Sequence, residues 1–142
     1  MPMVSKDKKK YVTKWKNRRF IKSLTYAIKG VQTVFNEERN FRFDVFALCM
    51  VIIGGLFFKV SIVEWLWLLL SATLVLTAEI INSAIENVVD LATDLKPNKL
   101  AKKAKDMGAA AVLIIAIFAT LVAAMIFLPR IYFWILTFWK DF

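Results

Sequence analysis

The chain has 142 residues, of which 59% are hydrophobic, and it carries a formal net charge of +9. Soluble domains contain roughly 45–50% apolar residues, so this composition favours a lipid bilayer over water as the main solvent. The lack of histidine excludes His-based catalytic triads and most zinc sites, and a single cysteine excludes an intrachain disulfide.

The N-terminal part of the chain is basic and amphipathic. Residues 1–19 form a predicted basic cytoplasmic leader with three consecutive lysines, Lys8 to Lys10. From Trp15 to Phe35, apolar residues recur at the spacing of one helical face: Phe20, Leu24, Ala27, Ile28, Val31, Val34 and Phe35. This pattern predicts a helix on an anionic membrane surface. A surface or topology role for the basic residues is favoured over binding an acidic protein or a nucleic acid.

Three long apolar runs follow, which are Val45 to Val60, Trp65 to Ala92, and Gly108 to Leu128. They predict transmembrane helices, because only helices satisfy the backbone in lipid when a chain has too few segments for a barrel. The first run is short, but Phe41, Phe43 and a snorkelling Lys59 can extend it. The predicted fold class is all-α integral membrane, with an N-terminal amphipathic surface helix and three transmembrane helices. Residues 129–142 are predicted to be an aromatic tail at the outer interface.

The distribution of basic residues predicts the orientation. Of the 20 Lys and Arg residues, twelve precede the first run and five lie between Lys96 and Lys105. By the positive-inside rule, the N-terminus and this second loop are cytoplasmic, and the C-terminus is outside. An aromatic belt at the outer interface agrees with this orientation, and it consists of Trp65, Trp67, Tyr132, Trp134 and Trp139.

One narrow face of the second run carries five polar residues, at about 100° per residue: Glu79, Asn82, Ser83, Glu86 and Asp90. If Trp65 marks the outer interface, a rise of about 1.5 Å per residue places Glu79 about 21 Å and Glu86 about 31 Å below it. The hydrocarbon core is about 30 Å thick, so Glu86 emerges at the cytoplasmic surface, where a soluble anion could meet it. Glu79 lies where a lipid headgroup could reach.

This polar stripe indicates a function, because an ionisable group at membrane depth costs several kcal/mol unless it is paired or hydrated. Two further polar clusters lie on the same predicted side, at 36–44 and 102–108. Carboxylates that hold Mg²⁺ together with substrate phosphates, and lysines that neutralise phosphate charge, suit phosphoryl transfer. The chain has no P-loop or GxGxxG motif, so a nucleotide would bind at an unconventional site.

Two other interpretations of the stripe remain. It could be a polar network between helices that stabilises an oligomer. It could also belong to a noncatalytic membrane subunit or a small transporter. Transport is disfavoured because the outer half of the second run, from Trp65 to Ala78, offers only weakly polar residues, namely Ser71, Thr73 and Thr77.

The segments EIINSAIENVVD, from Glu79 to Asp90, and AKDMGAAAVL, from Ala104 to Leu113, resemble the prokaryotic diacylglycerol kinase family. The resemblance extends from about Phe20 to Phe127. It implies a lipid kinase domain over residues 20–128 in the bacterial inner (cytoplasmic) membrane, which transfers phosphate from ATP to a lipid alcohol with Mg²⁺. It also implies a homotrimer whose active sites are shared between neighbouring subunits.

The resemblance assigns roles to individual residues. It implies that Glu79 is the general base and that Asn82 orients the substrate and the phosphates. Lys105 would bind phosphate with the support of Asp106. The implied nucleotide site consists of Tyr26, Glu38, Asn82, Glu86 and Lys105. Glu38 and Glu86 would be the metal carboxylates, and the implied lipid-substrate residues are Asp44, Glu79 and Ser83.

Two features bear on the lipid substrate. The basic leader is longer than in the proteobacterial enzymes, and the segment from Glu38 to Arg42 is similar to the Gram-positive branch, whose members act chiefly on undecaprenol. Undecaprenol is therefore the favoured substrate, with diacylglycerol as the alternative. Both lipids present one hydroxyl above long apolar chains, so the motifs alone do not separate them.

Overall fold

The computed structural model describes the backbone of residues 5–140 and the side chains of residues 19–137 and Trp139. This backbone forms four α-helices and no strand, and the helices are α1 (Ser5–Glu37), α2 (Arg39–Phe57), α3 (Ile62–Thr93) and α4 (Lys99–Lys140). α2, α3 and α4 are each long and apolar enough to cross a membrane. The predicted all-α class with three spans is thus confirmed.

α1 begins ten residues before the amphipathic helix predicted from Trp15 to Phe35. The sequence favours this extension, because no proline and only one glycine, Gly30, occur between Ser5 and Glu37, and lysine and arginine are good helix formers. Of the predicted leader, residues 1–4 lie outside the described part, and residues 5–18 are described by their backbone alone. The chain forms two compact units, and the boundary between them lies after Glu37.

Glu38 interrupts the helical backbone between α1 and α2, with extended dihedral angles of φ −97° and ψ 118°. α2 therefore begins at Arg39, before the apolar run that starts at Val45. It ends at Phe57 because Lys59 adopts a positive φ of 50°, which a helix does not accommodate. Its 19 residues extend for about 28 Å, close to the thickness of the hydrocarbon core.

α3 lies between the other two spans and packs against both α2 and α4. Its start is fixed by a capping box in which the Ser61 hydroxyl accepts from the Glu64 N–H and the Glu64 carboxylate accepts from the Ser61 N–H. Five residues at helical spacing are buried on α3: Leu68, Ser71, Val75, Glu79 and Ser83. The polar stripe therefore continues an apolar buried face, and the opposite face, with Ile81 and Val88, is exposed.

The ends of α3 and α4 that carry the predicted outer interface are joined by a small core and an ion pair. Val60, Leu68 and Ile126 form the core. Arg130 Nη2 lies 2.8 Å from Glu64 Oε2, and Arg130 Nη1 donates to the Ile126 carbonyl. α4 continues through Pro129, beyond the end of the apolar run at Leu128. The predicted tail is therefore helical to residue 140, and residues 141 and 142 lie outside the described part.

Candidate active site

Glu79 is the most deeply buried carboxylate in the described part of the chain, with 6% of the residue exposed. It lines a cavity of about 360 Å³ between α2, α3 and α4. The other polar residues of this cavity come from the start of α2, and they are Arg39, Asn40 and Asp44. The polar stripe of α3 thus lies opposite the polar first turns of α2, which belong to the separate polar cluster at 36–44 in the sequence.

An apolar groove of about 270 Å³ adjoins the cavity, and the two share the lining residues Phe43, Asp44, Val75 and Ala116. The groove is lined largely by small side chains, including Ala72. One oxygen of Asp44, Oδ2, is buried without a hydrogen-bond partner among the described residues. A buried unpaired carboxylate oxygen is costly, so this oxygen is available to accept a hydrogen bond from a ligand hydroxyl.

The carboxylates of the site form an electrostatic cluster. The negative charges of Asp44, Glu38 and Glu86 all act on Glu79. Glu38 belongs to this cluster because it is the N-cap residue of α2, although its side chain makes no capping hydrogen bond. Acidic side chains from two separate stretches of sequence, 38–44 and 79–86, are therefore close enough to interact electrostatically, which favours a nearby cation or a proton.

Asn82 occupies the next turn of α3 and links the buried carboxylate to the end of the helix. Its Nδ2 donates to Glu86 Oε1 at 2.9 Å. Its Oδ1 is buried, has no partner among the described residues, and faces Gly108 of α4. A Cβ atom at position 108 would collide with this oxygen, so glycine is needed for the close approach of the two helices.

Lys105 pairs with Asp90, at 2.6 Å between Nζ and Oδ1, and both side chains are about one third exposed. Both residues line a cavity of about 320 Å³ at the α3–α4 connection, together with Lys96, Lys102 and Asp106. The family resemblance implied that Asp106 supports Lys105, and the sequence indicated no partner for Asp90. The spacing of four residues between Glu86 and Asp90 did show that both lie on the same face of α3.

The remaining predicted residues lie in different settings. Ser83 is 3% exposed on the buried face of α3. Tyr26 lies in α1, within the first compact unit, and is 69% exposed. Sequence reasoning did not select Arg39 or Gly108 as site residues, because their importance depends on contacts between helices that are distant in sequence.

Comparison of the sequence with known proteins shows which family has these helices and carboxylates. Residues 25–127 match the family model of prokaryotic diacylglycerol kinase. The chain belongs to this family. Its buried stripe on α3 is therefore part of a membrane lipid kinase, and the family implies a nucleotide as phosphate donor. The family and the three spans point to the bacterial inner membrane.

Relatives in this family carry two different lipid names. Undecaprenol kinase of Bacillus subtilis is 41% identical over 113 residues, which cover 80% of this chain and 91% of the relative. Diacylglycerol kinase of Synechocystis is 38% identical over 75% of this chain and 61% of its own length. Diacylglycerol kinase of Helicobacter pylori is 40% identical over 74% of this chain and 81% of its own length.

The contact between Gly108 and Asn82 leads to a first prediction. Gly108→Ala is expected to lower turnover by about 10- to 100-fold, because the added methyl group moves the Asn82 amide away from Glu86, and displacements near 1 Å at reacting groups have effects of this size. Kinetics of the purified variant would measure it. Gly30→Ala is the matched control, since a Cβ there meets nothing within 4 Å. Unchanged turnover in Gly108→Ala would contradict the role given to this contact.

Proposed function

We propose that the chain transfers the γ-phosphate of ATP to the hydroxyl of undecaprenol. The observation that carries the choice of lipid is the 41% identity to the Bacillus undecaprenol kinase over 91% of that protein. A polar cavity next to an apolar groove also supports a lipid alcohol as the acceptor, because its hydroxyl and its chain need these two surroundings side by side.

In the proposed reaction, the lipid hydroxyl enters the cavity next to Glu79 and Asp44. Glu79 accepts the hydroxyl proton while the lipid oxygen forms a bond to the γ-phosphorus. The bond between the γ-phosphorus and the bridging oxygen breaks, and its electron pair leaves with ADP. The buried position of Glu79 and the unpaired Asp44 Oδ2 support this assignment.

The nucleotide phosphates are proposed to lie along the next two turns of α3. Asn82 would orient them, and Glu86 lies about 10 Å along the helix from Glu79. Lys105, supported by Asp106 and held by Asp90, would neutralise phosphate charge from α4. Tyr26 would contribute an aromatic surface for the nucleotide, and Ser83 would assist the lipid site.

The donor set at the phosphate end fits Mg²⁺. Among the described residues, no group of three or more metal-ligating side chains is present, and Mg²⁺ usually takes only one or two carboxylates together with substrate phosphates. Glu38 and Glu86 offer those carboxylates. When bound, the ion would neutralise charge on the transferring phosphoryl group. Glu86 is oriented for this role by its hydrogen bond from Asn82.

The orientation and assembly are proposals of the same kind. The N-terminus and the α3–α4 connection are cytoplasmic, which gives the nucleotide site access to cellular ATP, and the C-terminus is outside. α1 lies on the anionic membrane surface, with its apolar side chains in the interface.

Three copies of the chain assemble into a trimer. Analytical ultracentrifugation in detergent tests this assembly, and a mass other than that of three chains would exclude the trimer. No nucleic acid takes part.

Mixed micelles with ATP and Mg²⁺ test the choice of substrate. We expect phosphate transfer to undecaprenol with a kcat/KM at least tenfold above that for diacylglycerol, and no transfer to ceramide. The Glu79→Gln protein, prepared identically, supplies the background rate. A preference for diacylglycerol would replace the proposed substrate, and no transfer to any lipid would overturn the kinase proposal. In sealed membranes, ATP should support the reaction from the cytoplasmic face only.

A further inference from the structure

Arg39 is a cation in the lining of a cavity whose other charged residues, Asp44 and Glu79, are acidic. It is the first residue of α2, is exposed, and lines the cavity of Glu79 together with Asp44. Within the described side chains, the guanidinium of Arg39 takes part in no ion pair and no hydrogen bond. Its guanidinium is therefore available to a ligand in the cavity.

The first turn of α2 adds to the positive character of this position. The N-cap residue, Glu38, makes no side-chain hydrogen bond to the turn. The first N–H groups of a helix lack partners within the helix, and together they carry about half a positive charge. An anion near Arg39 would thus meet a guanidinium and a helix N-terminus at once.

The proposed reaction creates such an anion. A lipid alcohol enters the cavity uncharged, and it leaves as a phosphate monoester with a charge near −2. Glu79 becomes neutral as it takes the hydroxyl proton, but Asp44 stays in the same cavity as a carboxylate, and its repulsion would raise the energy of the product and of the transition state that leads to it. A cation on the lipid side of the transferring group offsets this repulsion.

Building on the proposed function, we propose that Arg39 is a phosphate-binding residue of the lipid site, which contacts the phosphoryl group as it arrives on the lipid oxygen. Arginine suits this task because its planar guanidinium binds two phosphate oxygens at once and keeps its charge at any physiological pH. Lys105 lines the separate cavity at the α3–α4 connection, so the two cations approach the transferring group from different cavities.

This placement predicts a separation of kinetic effects. Arg39→Gln is expected to lower kcat by about 10- to 100-fold, the range for losing a hydrogen bond to a charged group. The affinity for the lipid phosphate product should fall by a similar factor, and the KM for MgATP should change less than twofold. Arg39→Lys keeps the charge but loses the paired geometry, so it should retain an intermediate activity.

The measurements are steady-state kinetics in mixed micelles and direct titration of the protein with undecaprenyl phosphate. Lys99→Gln is the matched control, because it removes a positive charge from an exposed position that lines none of the cavities described above. It should leave both quantities unchanged. Far-ultraviolet circular dichroism and thermal unfolding separate a folding defect from a binding defect.

Each outcome decides the role of Arg39. Weaker binding of undecaprenyl phosphate by a folded Arg39→Gln protein, with an unchanged KM for MgATP, supports it. Equal binding and equal kcat in Arg39→Gln and the unmodified chain overturn it, even if the unmodified chain proves to be an undecaprenol kinase. A loss of stability alone, with unchanged product affinity, assigns Arg39 to the fold and also overturns it. If the unmodified chain phosphorylates no lipid, the proposed function fails independently of the titration.

Discussion

Replacement of Glu79 by glutamine is expected to reduce turnover by a factor on the order of 10² or more, while the protein still folds and binds nucleotide. Glutamine keeps the size of the side chain but does not accept the hydroxyl proton of the lipid. The buried position of Glu79 and its place in the cavity beside Asp44 make it the group best placed for this proton. Initial rates with saturating lipid and ATP, and separate nucleotide titration, would measure both parts.

Glu64→Gln is a matched control for this substitution. It makes the same chemical change in the same helix, but Glu64 lies fifteen residues from Glu79 and pairs with Arg130 outside the site. It is expected to weaken the junction of α3 and α4 without a change in the kcat of folded protein. Near-normal turnover in Glu79→Gln would remove the base assignment. Failure to assemble, with normal activity in the fraction that does, would favour a structural polar network.

The three spans were predictable from the sequence because a bilayer imposes a simple rule on it. A helix that crosses the hydrocarbon needs about 20 consecutive apolar residues, and the runs around Leu48, Leu76 and Ile117 meet that need without knowledge of any contact. The buried face of α3 could also be predicted from the sequence, because helical periodicity alone places Glu79 and Ser83 on one side.

The ends of the helices could not be predicted from the sequence as well as the spans. The apolar run of the third span ends at Leu128, next to Pro129, but α4 continues beyond it, with Arg130 bonded both to the Ile126 carbonyl and to Glu64. The first turn of α2 carries polar residues such as Arg39 and Asn40, so the hydropathy of the sequence does not indicate where this helix begins. Charged and amide side chains form helices readily, so the helix and its apolar run need not coincide.

The site itself depends on contacts that no local pattern contains. Residue types predicted which carboxylates and lysines matter, and the family resemblance gave them roles. Packing between helices far apart in sequence produces the close approach of Asn82 to Gly108 and the pairing of Lys105 with Asp90. It also places Arg39 in the lining of the cavity that holds Glu79. Glu38 illustrates the same point, because its membership of the acidic cluster follows from the break between α1 and α2.

Glu86→Gln and Glu38→Gln are each expected to raise the Mg²⁺ concentration needed for half-maximal turnover by at least about tenfold. Even groups that only orient metal ligands contribute 10- to 100-fold to affinity, so the loss of a ligand has at least this effect. Both carboxylates act on Glu79 electrostatically, and one of them is held by Asn82. Rates would be measured against free Mg²⁺ at constant ATP, and Mg²⁺-dependent binding of a non-hydrolysable nucleotide would be titrated in parallel.

The matched control is Glu37→Gln, because Glu37 is adjacent to Glu38 but ends α1, while Glu38 caps α2. It should leave the Mg²⁺ dependence unchanged. If Glu37→Gln shifts the dependence and Glu38→Gln does not, the metal carboxylate has been assigned one residue too late. The double variant Glu38→Gln/Glu86→Gln should show less than the sum of the two free-energy changes, since groups that share one ion act as a unit. Unchanged Mg²⁺ dependence and nucleotide binding in both single variants would exclude these carboxylates as ligands.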